Sequence, residues 1–200
     1  INKLLYLLKK MKFHMNEEEK IIKKLRKSAM SYLARYEVSA HQFEKTMKRK
    51  LSNLKANLED LDKIKIIRNL KDEMILAKFI DDKRFAETKI RSIRRQGGSE
   101  RFIYAKLNEK GISNDIIKCA INTVDEGHEN AEMIAAINFI KKKNIGIYYK
   151  KNLENKIDEF ELKNKWYGAL SRKGFSLDIV KKVFEIKDIE KANLILEDNL

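Results

Sequence analysis

The chain has 200 residues with no proline, few glycines and 37% charged side chains, which points to nearly all-helical structure with enough apolar content for cores. Its net charge of +14 favours polyanionic partners, nucleic acid first. The single cysteine, Cys119, excludes an internal disulfide, and no apolar run approaches the roughly 20 residues of a bilayer span.

Residues 1–27 read as a basic helical extension. Its Leu4–Leu8 stretch is too short for a span, and Lys9 and Lys10 follow it on the wrong side for a signal peptide. With Cys119 placed at an apolar helical position, a reducing, cytoplasmic setting is expected. Ala29–Ser39 reads as an amphipathic helix. Ser39 and Gln42 then match a capping box that opens a second helix, with Phe43 and Met47 on its buried face. Leu51 stands where a helix-stopping glycine is wanted. A long helix carrying Leu54, Leu58 and Leu61 is expected to follow, leading into Ile64–Ala77.

Asp81 is a candidate N-cap for a helix over residues 82–96, which stops at Gly97-Gly98. Residues 101–121 and 164–184 are one unit written twice. Aligned at Gly111 and Gly174, they share Tyr104/Tyr167, Leu107/Leu170, Lys110/Lys173, Ser113/Ser176, Asp115/Asp178, Ile116/Ile179 and Lys118/Lys181. Each glycine is expected at positive φ, ending one helix. Each serine caps the next, with an aspartate in its first turn. Ile117 and Ile121 in the first copy, like Val180 and Phe184 in the second, supply the buried stripe. Ala131–Lys143 precedes the second copy as another helix, ending near Asn144 and Gly146, with a connector over Ile145–Lys151.

The domain reading is therefore a basic extension (1–27) and three three-helix modules: a degenerate first one (28–80), a second (81–126) and a third (127–200). An internal repeat turns the search for function from a pocket towards a surface.

Positive charge is uneven along that array. Residues 1–70 hold 18 Lys and Arg against 8 Asp and Glu, whereas residues 71–130 hold 12 against 11. The arginines Arg91, Arg94, Arg95 and Arg101 nevertheless cluster in the near-neutral middle. On the 82–96 helix, Phe85, Ala86, Ile90 and Ile93 fall on one side; Arg84, Arg91 and Arg95 form a stripe opposite, flanked by Arg94. That ridge has two readings: a solvated face paired with acids such as Glu87, or a fork-rich surface for phosphates or carboxylates. Lys48-Arg49-Lys50, Lys141-Lys142-Lys143 and Arg172-Lys173 lie near helix ends. There they suit the dipole, or form a discontinuous basic track.

Trp166 is in register with Ile103 and reads as core rather than a stacking platform, as do Tyr104 and Tyr167. His14, His41 and His128 lack metal-ligand spacing, and no phosphate-cradling or nucleophile motif occurs. No catalytic, metal or cofactor residues are expected, and the protein reads as a non-enzyme.

The stretch FIDDKRFAETKIRSIRRQGGSERFIYAKLNEKGIS, with Asp81-Asp82, Arg84-Phe85-Ala86, a basic helix, a glycine break and then Leu107, Lys110, Gly111 and Ile112, resembles the central signature of the RecX family. YLARYEVS (Tyr32–Ser39) resembles that family's first-module start, and LSRKGFS (Leu170–Ser176) its last-module turn. The likeness covers Ala29 to Glu185. The missing glycine at Leu51, the loosely patterned stretch at 52–80 and the lysine-rich N-terminus depart from it.

The resemblance implies an elongated, curved array of three tandem three-helix modules. It further implies a monomeric inhibitor that binds RecA–DNA filaments, hinders their extension and lowers strand exchange and co-protease activity, so modulating DNA repair and the SOS response. Some relatives also bind single- or double-stranded DNA. Candidate contacts are Arg84, Arg91, Arg94, Arg95, Arg101, Lys48, Arg49, Lys50, Arg172 and Lys173. Two other classes stay open: a helical, sequence-non-specific DNA-binding protein without a recombinase partner, and a basic membrane-surface protein using residues 1–27.

Overall fold

The structure is a computed structural model that describes residues 2–54, 59–128, 130–150 and 158–197. All regular structure among these residues is helical. The chain divides into two compact units, residues 1–85 and 86–200.

The first unit holds α1 (Asn2–Leu33), α2 (Ala40–Asn53) and α3 (Asp60–Leu76). No break separates an N-terminal extension from the first module: α1 runs through residue 27, and its Leu25 and Ala29 are buried among Phe43, Met47 and Leu70. The expected helix over Ala29–Ser39 instead ends at Leu33. Residues 36–39 are irregular, because Ser39 must take the extended conformation (φ −73°, ψ 158°) that lets its side chain accept from Gln42 N. Gln42 Oε1 accepts from Ser39 N in return, completing the expected capping box.

Without a glycine at residue 51, α2 continues through Leu51, which is buried, to Asn53. It stops there rather than extending as a long helix. Leu54 and Leu61 are exposed, and Leu58 lies outside the described residues. The core is closed instead by Ile66, Ile67, Leu70 and Met74 of α3.

The helix α4 (Asp82–Arg95) carries the boundary between the units. The second unit continues with α5 (Glu100–Asn108), α6 (Asn114–Val124), α7 (Ala131–Lys143), a 3-10 turn (Gly146–Tyr148), α8 (Glu159–Arg172), α9 (Leu177–Glu185) and α10 (Ile189–Glu197). The repeat shows in the backbone. Gly111 and Gly174 have φ of 74° and 86°, and Ser113 and Ser176 cap α6 and α9 by accepting from Ile116 N and Ile179 N. Ile117 and Ile121 are buried on α6, as are Val180 and Val183 on α9, while Phe184 is half-buried. Cys119 faces solvent, contrary to its expected apolar position. The buried face of α6 is already filled by Ile117, Ala120 and Ile121.

Trp166 is half-buried between rings, with centroids 5.3 Å from Tyr149 and 5.9 Å from Phe184. That supports its structural reading. The expected connector holds the 3-10 turn, and its Lys151 falls outside the described residues. α10 was not foreseen: its Ala192 completes the core around Ala136 and Ile140 of α7.

Candidate polyanion and partner surface

The α4 arginines separate by role. Arg84 Nε donates to Glu37 at 2.8 Å and Nη1 to the Lys78 carbonyl at 3.3 Å. The Asp81 carboxylate beside it caps α4, accepting from Lys83 N and Arg84 N. The Arg84 hydrogen bond comes first in holding the Asp81 pKa below its ordinary value. Asp82, one residue on, accepts from Ala40 N at 2.8 Å, fastening the start of α2. Arg84 is thus tied into the fold of its own unit.

Arg94 leaves the ridge altogether. Its side chain is 12% exposed and bonds Asp125 at 2.6 Å, Glu132 at 2.6 Å and the Gly98 carbonyl at 3.2 Å. Burial opposes the guanidinium charge, but the hydrogen bonds it donates to the two carboxylates outweigh it, and the arginine pKa is raised. Glu132 also accepts from Glu100 N at 2.6 Å, so one carboxylate of α7 holds both Arg94 and the first turn of α5. This repeats the service Asp82 gives α2.

Arg91 and Arg95 do face outward. Arg91 shares a 3.3 Å surface pair with Glu87, and Arg95 is exposed. In the first unit, Lys48 pairs with Glu44 at 2.8 Å, Arg49 is exposed and Lys50 lies in the last turn of α2. Lys71 reaches the same carboxylate at 2.9 Å. The hydrogen bonds from Lys48 and then Lys71 lower the Glu44 pKa to about 2.

The structure also gathers cations that are far apart in the sequence. Lys106 stands in the last turn of α5, Lys142 and Lys143 in the last turn of α7, and Lys173 at the C-cap of α8. A helix C-terminus carries a partial negative charge that favours lysine, and here three such ends bring their lysines together. Lys173 Nζ sits 3.5 Å from the Phe102 ring centroid and Lys106 Nζ 5.7 Å from it. Desolvation first, and then the charges of Lys143, Lys106 and Lys142, push the Lys173 pKa below the usual lysine value. Lys106 has Glu109 at 3.0 Å as a counterion. Arg101 and Arg172 are exposed nearby in the chain, and a Cβ placed on Gly174 would lie 3.0 Å from that of Arg101.

Sequence reading named Arg101, Arg172, Lys173 and Lys141–Lys143 separately. It missed Lys106 and the meeting of helix ends, for which the repeat of a basic last turn was the available signal. Among the described residues no cluster of His, Cys, Asp and Glu could hold a metal ion, and no helix is long and apolar enough to cross a membrane.

Two family models match the chain: the second three-helix domain of RecX over residues 81–121 and the third over 148–184. "Regulatory protein RecX" of Agrobacterium fabrum is 32% identical over 121 residues, covering 60% of this chain and 59% of the relative. Its counterpart in Myxococcus xanthus is 28% identical over 163 residues, covering 80% and 84%. The chain thus spans less than two thirds of the first relative's length. A crystal structure of RecX from Lactobacillus salivarius shares the fold, with a TM-score of 0.61 at 21% identity over 86% of this chain and 99% of that one. Tandem RecX three-helix domains, read first from the Gly111/Gly174 repeat, place this chain in the RecX family of regulatory proteins.

Proposed function

We propose that the chain regulates the RecA recombinase by binding RecA–DNA filaments and inhibiting their extension, strand exchange and co-protease activity. The observation that carries this reading is the lysine cluster around Lys173. Burial first, and then the neighbouring like charges of Lys143, Lys106 and Lys142, depress the Lys173 pKa, with Glu109 as the one carboxylate bonded to the cluster among the described residues. Such a surface gains by taking a polyanion, and its affinity falls steeply with salt. Arg91, Arg95, Arg101 and Arg172 are further cations through which the second unit would meet the filament.

The test is RecA-catalysed ATP hydrolysis on single-stranded DNA, titrated with the chain. The rate should fall with added protein, and the Lys142→Ala/Lys143→Ala variant should need more protein for equal inhibition. An unchanged rate at every ratio would refute the proposal. Binding to bare DNA as tight as to the filament would favour a DNA-binding protein without a recombinase partner.

A further inference from the structure

Within the second unit a cleft of about 730 Å³ opens between α4, the end of α6, α7 and α10. Its buried and half-buried lining is mainly apolar, with Val124, Ile134, Ala135 and Leu196 beside the polar His128 and Asn138. Its rim is cationic: Arg91 and Arg95 on α4, and Lys141 on α7, all exposed. One lining carboxylate, Asp125, is already taken by Arg94. Glu197, at the end of α10, is the other acid in the lining.

We propose that this cleft docks the apolar face of an acidic amphipathic helix supplied by a protein partner. Each part of that occupant answers an observation. The apolar lining is removed from water only by apolar side chains, which a phosphodiester backbone does not offer. The rim cations need carboxylates beside that apolar stripe. Arg91 and Arg95 are four residues apart on one helix face, so they meet acids along one edge of the incoming helix. Lys141, held 3.4 Å from Asn193, meets acids along the other. Arg91 is free to exchange partners, because its 3.3 Å pair with Glu87 is a surface pair of little worth. The cleft differs in chemistry from the lysine cluster around Lys173, which has Phe102 as its apolar neighbour rather than an aliphatic lining.

The experiment uses the full chain and a fluorescein-labelled, capped peptide of three heptads. It carries Leu at the a and d positions and Glu at the flanking e and g positions, whose mutual repulsion keeps it from self-pairing. Two controls accompany it: a twin with Lys for Glu, and a peptide of the same composition with the apolar stripe scrambled. Fluorescence anisotropy should show binding of the Glu peptide that weakens with salt, and weaker binding of both controls. Arg91→Glu/Arg95→Glu, whose sites are exposed, should melt normally, lose about tenfold or more in affinity for the Glu peptide, and gain affinity for the Lys twin.

Failure to bind the Glu peptide, equal binding of the scrambled one, or an unaltered preference in the reversed variant would each overturn the proposal. Binding of a labelled single-stranded oligonucleotide to the wild type more tightly than the Glu peptide, and lost in the variant, would assign the cleft to nucleic acid instead. The assay holds neither RecA nor a filament, so its failure leaves the regulatory reading standing, and the failure of that reading leaves the cleft standing.

Discussion

Replacing Gly174 by alanine should destabilise the second unit more than the same change at Gly127, although both glycines have similar φ, 86° and 82°. At either site an L-residue in the left-handed region costs about 1–2 kcal/mol. Gly127 has open space around it, so that cost stands alone. At Gly174 a Cβ would lie 2.7 Å from Ser99 Oγ. That hydroxyl is buried, caps α5 by accepting from Phe102 N at 3.1 Å, and donates to the Lys173 carbonyl at 2.6 Å. Displacing it forfeits a cap, about 1 kcal/mol, and strands a buried hydrogen-bonding group, about 1–3 kcal/mol. The sum is roughly 3–6 kcal/mol for Gly174→Ala against about 1–2 for Gly127→Ala.

At roughly 4 °C per kcal/mol for a unit of this size, the melting midpoints should fall by about 12–24 °C and about 4–8 °C. Thermal melts followed by far-ultraviolet circular dichroism make the measurement. Equal shifts for the two variants would refute the reasoning, since the contact between the Gly174 turn and Ser99 would then contribute nothing.

Arg94→Ala should cost roughly 2–4 kcal/mol, because it leaves Asp125 and Glu132 without their cation in a largely buried setting. Arg91→Ala with Arg95→Ala should stay within about 0.5 kcal/mol of the wild type while weakening inhibition of RecA ATP hydrolysis in the way added salt does; denaturant melts and ATPase titrations separate the two arginine classes. Glu44 has a folded pKa lowered to about 2, so its stabilising effect is complete above the unfolded carboxylate pKa and is lost as pH falls towards 2. Glu44→Gln should therefore flatten the acid limb of the stability curve measured by urea titration. Lys173, its pKa lowered first by burial and then by the neighbouring lysines, binds its proton less well folded than unfolded, so holding it charged there destabilises the fold at neutral pH and the penalty lifts as pH rises through the lysine range. Tripolyphosphate at neutral pH, or Lys143→Gln, should raise the melting midpoint; a midpoint unmoved by both would mean the lysines do not share a field.

Local signals settled whatever depends on short-range geometry. The capping box at Ser39 and Gln42, the positive φ at Gly111 and Gly174, and the serine caps of α6 and α9 involve residues within one turn, where side-chain type dictates backbone conformation. The helical repeat, and with it the family, was legible for the same reason. What a helix face meets was not legible. Periodicity put Arg94 beside an outward ridge, but Asp125 and Glu132, 31 and 38 residues away, draw it inward. The same blindness applied to Cys119 and to the run of α1 through residue 27 into the first core. Lysines 106, 142, 143 and 173 each suited a helix C-terminus by local rules. Only the packing of α5, α7 and α8 made them one charged surface, because the Coulomb energy of a cluster depends on distances in space that the sequence does not record.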